Sequence, residues 1–227
     1  MSEFAHVAID GPAGSGKTTV ARALARRLDI LYLDTGAMYR AVALMALRAG
    51  ADPADPAAMS ALARLRPIRV ALDAAAPLGS RIFAGDEEFG VELHANEVSR
   101  VVSAVAAHPA IRELMVERQR AIAQEGPVIM AGRDIGTVVL PGAALKIFLT
   151  ATVQERVERR RVELAERGIA VEPAALRAQI EERDRVDETR AVAPLRQAED
   201  AVRIDSSGLT VAAVVDRIAK LARTGAA

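Results

Sequence analysis

Gly11-Pro12-Ala13-Gly14-Ser15-Gly16-Lys17-Thr18 fits G-x-x-x-x-G-K-[ST] at every fixed position. Each residue type has a physical reason to be there. Glycine lets successive backbone N–H groups turn inward and cradle phosphate oxygens. Lys17 offers a compact charge for the β- and γ-phosphates of a triphosphate, and the Thr18 hydroxyl is an oxygen ligand for Mg²⁺. The run Gly11 to Thr19 is therefore a candidate ATP-phosphate site. Its context agrees. The apolar run His6–Asp10 reads as a strand before the loop, and Val20, Leu24 and Leu28 mark a helix face after it. A triphosphate site does not name a reaction. The sequence contains no Asn-Lys-x-Asp motif for guanine, which argues against a GTP switch, and 227 residues are few for a motor. A small phosphotransferase remains, whose second substrate needs arginines that bind anions.

Three clusters supply such residues. Asp34-Thr35-Gly36-Ala37-Met38-Tyr39-Arg40 follows a second short apolar run and opens a helix. Gly132-Arg133-Asp134-Ile135-Gly136-Thr137 follows a run ending near Ala131. In a parallel sheet, both segments leave the same carboxyl edge as the phosphate loop, where ligands bind. Arg183, Asp187 and Arg190 lie four and seven residues apart, which predicts one shared helix face.

The elements around these clusters read as α/β. Strand-like and helix-like segments alternate at about 30 residues per unit, the form of βαβ and of a parallel sheet covered on both faces. Helices are predicted over 37–49, 95–124 with a break at His108-Pro109, 153–168 and 173–190. Strands are predicted over 127–131, 145–149 and 202–205, and Val211, Val214, Val215, Ile218 and Leu221 form the stripe of a closing helix. ADPADP at 51–56 breaks the pattern. Short runs at 68–72 and 81–84, around turns at 77–80 and 85–86, read as a small antiparallel insert.

Composition excludes other chemistries. The 30 basic and 30 acidic side chains cancel, which argues against a general nucleic-acid binder. All the basic residues but Lys17, Lys146 and Lys220 are arginines. With no cysteine and three scattered histidines there is no thiolate, disulfide or His-built metal site. No stretch approaches the roughly 20 apolar residues of a membrane span. Met1-Ser2-Glu3-Phe4 does not begin a signal peptide, so a cytoplasmic protein is expected.

Taken together, GPAGSGKTT, DTGAMYR, VAAHPAIRE, GRDIGTVV, the Arg-Arg pair in the helix beginning near 153, and RDRVDETRAVAPL resemble the bacterial cytidylate (CMP/dCMP) kinases. They run in family order from residue 10 to about 205. Thr35 stands where some relatives carry serine, and Ala131 where an acidic residue is common. The resemblance implies a P-loop NTPase fold, with a core formed by 1–65, 125–152 and 195–227. Residues 66–124 would be an NMP-binding insert with its following helices, and 153–194 a helical lid and substrate-contacting helix. It implies phosphoryl transfer from ATP-Mg²⁺ to CMP or dCMP by a monomer, with no nucleic acid or membrane partner. Ser103, Arg112 and Asp134 would read the cytosine edge, and Arg183 and Asp187 the sugar. Arg40, Arg133 and Arg190 would clamp the acceptor phosphate, with Thr35 also on the substrate. Arg159 and Arg160 would come from the lid, and Lys17, Arg133, Arg159, Arg160 and Arg190 would carry the catalysis. A kinase for shikimate or another nucleotide, and a nucleotide-gated binding protein, are the competing readings.

Overall fold

A computed structural model describes residues 6–76, 79–166 and 168–224. The chain's start and the middle of the turn expected at 77–80 lie outside the described residues. Five parallel strands form the central sheet in the order β2-β6-β1-β7-β8: β1 (Val7–Asp10), β2 (Leu31–Asp34), β6 (Val128–Gly132), β7 (Leu145–Thr150) and β8 (Val202–Asp205). Strands β1 and β6 are buried along their whole length, as an unbroken apolar run requires of a strand covered on both faces. Their register sets Asp10 beside Gly132, and Asp34 beside Ala131. The phosphate loop, the Asp34 segment and the Gly132 segment thus leave one edge together, where the chain order around β1 reverses direction.

Alternation along the strands divides the core. Val7, Ile9, Ile129, Ala131 and Ile147 pack with Leu24 of α1 (Lys17–Leu28) and Ile218 of α8 (Val211–Thr224). On the opposite face, Ala8, Val128 and Met130 pack with α2 (Thr35–Arg48), α4 (Asn96–Ala107) and α5 (Pro109–Gln124). That cluster continues without interruption into the small antiparallel sheet β3 (Ile68–Leu72), β4 (Ser80–Ala84) and β5 (Glu87–Phe89), through Ile68, Ile82 and Phe89. A separate cluster, Val157, Leu164, Leu176 and Ile180, joins α6 (Val153–Glu166) to α7 (Pro173–Thr189).

Two elements exceed the sequence expectation. Helix α3 (Pro56–Leu65) begins inside the segment that looked like a simple break. Asp55 caps it by accepting from the Ala57 and Ala58 N–H groups, and Pro56 occupies the first turn. It fully buries only Met59 and Ala63, so its apolar stripe is too thin to stand out among alanines. Strand β5 adds a third member to the insert after the turn at Gly85. A 3₁₀ turn (Val91–His94) and a π-type turn (Ile135–Val139) also carry no periodicity that sequence reading detects. The break between α4 and α5 falls at His108, as expected, and the ring Nε2 lies 2.8 Å from Pro53 O.

Candidate active site

The phosphate loop joins β1 to α1. At Gly11 (φ 149°) a Cβ would sit 1.9 Å from Leu149 O, so only glycine allows β7 this close. Pro12, Ala13 and Ser15 are buried, Gly14 is exposed and Gly16 lies between the two classes. Lys17 is only 8% exposed, and its Nζ donates to Pro12 O at 2.7 Å and to Ser15 Oγ at 3.4 Å. Burial, then the charges of Arg133 and Arg183, hold its ammonium well below the ordinary lysine range. Thr18 Oγ1 donates to Asp34 Oδ2 at 3.2 Å, and Asp34 Oδ1 caps α2 through the Gly36 N–H. Thr19 is exposed. Thr35 is buried and donates to Ala131 O at 2.9 Å, tying α2 to the end of β6.

Arginines from separate elements converge beside Lys17. Arg40 Nη1 donates to Leu93 O (3.1 Å) and Ser99 Oγ (2.9 Å). Burial lowers it to about 10, with Asp34 opposing and Arg160 and Arg133 adding to the shift. Arg183 is lowered to about 9 by burial, then by Arg133 and Arg40, and its buried Nε has no hydrogen-bond partner among the described residues. Arg133 is the exception: burial opposes its charge, but Asp187 first, then Asp184 and Asp34, together outweigh burial and raise it. Arg133 Nε donates to Asp187 Oδ2 at 2.7 Å, and Ser103 Oγ approaches Asp187 Oδ1 at 3.4 Å. Burial opposes the Asp187 charge too, yet Arg133 and Arg183 hold that carboxyl below the usual range. Cations that depress one another in this way define a place where an anion is favoured.

Arg112, Asp134, Arg190 and Tyr39 form a second group. Arg112 Nη2 donates to Asp134 Oδ2, and the two side chains are only 3% and 6% exposed. The Arg112 guanidinium lies 5.6 Å from the Tyr39 ring centroid. Arg190 Nη2 comes within 3.5 Å of Asp134 Oδ1 without forming a hydrogen bond, and its Nε donates to Ala193 O at 2.7 Å. Burial, then Arg112, lowers Arg190. One sequence expectation is corrected here. Helix α7 ends at Thr189, because Arg190 takes an extended backbone (ψ 141°), so Arg190 does not share a regular helix face with Arg183 and Asp187. Its side chain turns to Asp134 and Ala193 instead.

The two arginines expected from the lid also divide. Arg159 donates to Ser206 O (2.8 Å), to Ser206 Oγ (3.0 Å) and to Ser15 O (3.4 Å), and so lies along the donor loop. Arg160 pairs with Glu163 at 2.7 Å and contributes to the field at Arg40 and Arg183. Arg161 pairs with Glu158 in the open.

The family model for cytidylate kinase matches residues 7–224. The chain belongs to the cytidylate kinase family. A cytidylate kinase from Pelotomaculum thermopropionicum is 52% identical over 218 residues, covering 96% of each chain. One from Mycobacterium avium is 46% identical over 98% of this chain and 97% of its own. A bifunctional pantoate ligase/cytidylate kinase from Synechococcus is 47% identical over 96% of this chain but only 40% of its own. A solved structure of an uncharacterized protein from Eubacterium ventriosum aligns over 98% of this chain and 99% of its own with a TM-score of 0.55, at 13% identity, and shares the fold.

In this cytidylate kinase chain, motif reading missed several residues. Asp10 ends β1, and its Oδ1 and Oδ2 accept from the Ile135 and Gly136 N–H groups, both at 2.8 Å. It thereby fixes the turn that carries Arg133 and Asp134. Burial pushes its carboxyl up to about 6 from the ordinary 3.8, against those two N–H groups. Between these values the native chain keeps a proton that the unfolded chain has released. The contribution to stability therefore declines as pH rises through the window, by roughly 3 kcal/mol in all. In melts of Asp10→Asn and the parent, the midpoint difference is expected to shift in favour of the variant between about pH 4 and about pH 7. A pH-independent difference would refute the assignment. Arg156, Asp184 and Ser206 were also missed; Arg156 and Ser206 lie outside the quoted motifs, Asp184 sits inside RDRVDETRAVAPL without a role read for it, and each contacts the donor loop or its supports.

Proposed function

We propose that the chain transfers the γ-phosphoryl group of ATP to CMP or dCMP, giving ADP and CDP or dCDP. One feature supports this reading beyond family membership: Arg133, bonded to Asp187 at 2.7 Å, and Arg183 lie near enough to Lys17 in the donor loop for their charges, after burial, to help depress its ammonium. Donor and acceptor anions would then share one field. The attacking atom is an oxygen of a phosphate already ionised near neutral pH, so the protein need supply no base. Its residues align the two anions and spread the charge of the transferring group. Lys17 takes the donor side. Arg40, Arg133 and Arg190 take the acceptor phosphate, Arg183 and Asp187 take the sugar, and Arg160 is the lid arginine that adds to the field at Arg40 and Arg183. Arginine's planar fork suits a phosphate better than an ammonium does. Arg112, Asp134 and Ser103 form the base site, with Arg190 beside it. Among the described residues no hydrogen bond reaches Asp134 Oδ1, which has only Arg190 Nη2 at 3.5 Å, and this oxygen would accept from the cytosine amino group.

Thr18 and Asp34 offer the oxygen donors that a hard cation prefers, so this pair would hold Mg²⁺ together with water. Asp10 is instead bonded to the Ile135 and Gly136 N–H groups. Bound there, Mg²⁺ would supply charge neutralisation at the donor phosphates. No described helix is long and apolar enough to cross a membrane. The reading places a monomer in the cytoplasm acting on small nucleotides rather than nucleic acid, in keeping with the zero net charge. In it, 66–124 closes on the monophosphate and 153–194 is the lid.

A coupled assay of ADP release, with ATP-Mg²⁺ and CMP, dCMP, UMP, AMP or shikimate as acceptor, tests the activity. Release that depends on CMP and dCMP is expected. Release indifferent to every acceptor would overturn it in favour of a nucleotide-gated binding protein.

A further inference from the structure

Ala13, inside the phosphate loop, has both backbone polar groups held by side chains from α6 and α7. Its N–H donates to Asp184 Oδ1 at 3.4 Å, and its carbonyl accepts from Arg156 Nη1 at 3.1 Å. Arg156 also donates to Asp184 Oδ2, and its Nε to Ala151 O at 3.2 Å. The Arg156 and Asp184 side chains are only 6% and 13% exposed. The loop has no slack against them. At Gly14 (φ 74°) a Cβ would stand 3.2 Å from Arg156 Cβ and 3.5 Å from Arg156 O. Helix α6 therefore lies directly on the loop, and the Arg156–Asp184 pair closes around the peptide groups before and after Ala13.

We infer that Asp184 and Arg156 are positioning residues for the ATP phosphates. They act through the backbone of Ala13 and touch no reacting atom. A buried ion pair is a poor way to gain net stability, because desolvation offsets most of its attraction. Holding the two peptide groups that flank Ala13 in one orientation is a use for both side chains: the carboxylate takes the N–H of one and the guanidinium gives to the carbonyl of the other. The placement also separates two tasks on one helix. Arg183 and Asp187 of α7 stand with Arg133, whereas Asp184, between them, bonds the donor loop and reaches Arg133 only through a weaker field than that of Asp187. Substitutions one residue apart should then affect different substrates.

Steady-state kinetics with each substrate varied in turn separates these effects. Asp184→Asn keeps the size and one acceptor oxygen but loses the charge. It is expected to raise KM for ATP about tenfold while KM for CMP stays within about twofold. Arg156→Lys keeps the charge without the fork and is expected to raise KM for ATP about threefold. An unchanged ATP KM in Asp184→Asn overturns the inference, and so does an equal rise in both KM values, which would mean general loosening. Should Asp184→Asn fail to fold, Arg156→Lys decides by the same split. The inference rests on the donor-loop reading. A second readout keeps the two apart: the rise in melting temperature produced by ADP should be smaller in Asp184→Asn than in the parent. If the parent lacks CMP-dependent turnover, the proposed reaction fails while this shift still judges the clamp. Equal shifts in the two proteins overturn the clamp.

Discussion

Lys17→Ala is expected to lower kcat with ATP and CMP by about 10²–10³-fold or more, the usual consequence of removing a preorganised charge from a transition state. Folding should survive it. The Lys17 ammonium is buried, and burial together with Arg133 and Arg183 holds it well below the ordinary lysine range. A lysine whose native pKa is depressed binds its proton less tightly when folded, so near neutral pH its charge subtracts from stability. Removing it costs the bond to Pro12 O but relieves that repulsion. The variant is therefore expected to melt at or above the parent temperature while nearly inactive, the trade expected of a residue kept for function. A coupled assay beside a thermal melt checks both parts. Turnover near that of the parent would remove Lys17 from the donor site.

Asp134→Asn is expected to lower kcat/KM for CMP by about 10²-fold and to narrow or reverse the preference for CMP over UMP. Cytosine presents an amino donor where uracil presents a carbonyl. A carboxylate accepts only from the former, whereas an amide can donate to the latter. Asp134 Oδ2 is committed to Arg112, and among the described residues Oδ1 accepts no hydrogen bond, with Arg190 Nη2 3.5 Å away. Truncation to alanine would confuse recognition with folding: Arg112, 3% exposed, would become a buried unpaired charge, a loss of about 3–5 kcal/mol. Asparagine leaves Arg112 an acceptor oxygen. Parallel kinetics with CMP and UMP give the selectivity, and an unchanged ratio would refute base reading by Asp134.

Legibility from sequence depended on how local the determining physics is. The phosphate loop, the paired segments after β2 and β6, and most strands and helices were readable because glycine conformation, capping and apolar periodicity act over a few residues. Helix α3 escaped because it buries only two residues fully, and β5 because three residues are too few for alternation to register. Asp10, Arg156 and Asp184 escaped for a different reason. Each looks like an ordinary charged residue beside a strand end or on a helix, and its partner lies far along the chain: Asp10 reaches Ile135, and Asp184 reaches Ala13.

The sequence by itself determined the chemistry at stake: a triphosphate loop, a surplus of arginine over lysine in a neutral chain, and the order of motifs that marks the family. Which arginine stands with which was decided only by the tertiary structure. Arg40, Arg133 and Arg183 were brought within one another's field, Arg112 and Arg190 around Asp134, and Arg156 against the donor loop. Spacing along a chain constrains neighbours on one helix. The field at a phosphate is summed over groups brought from the whole sheet edge, and only the packed strands and helices set those distances.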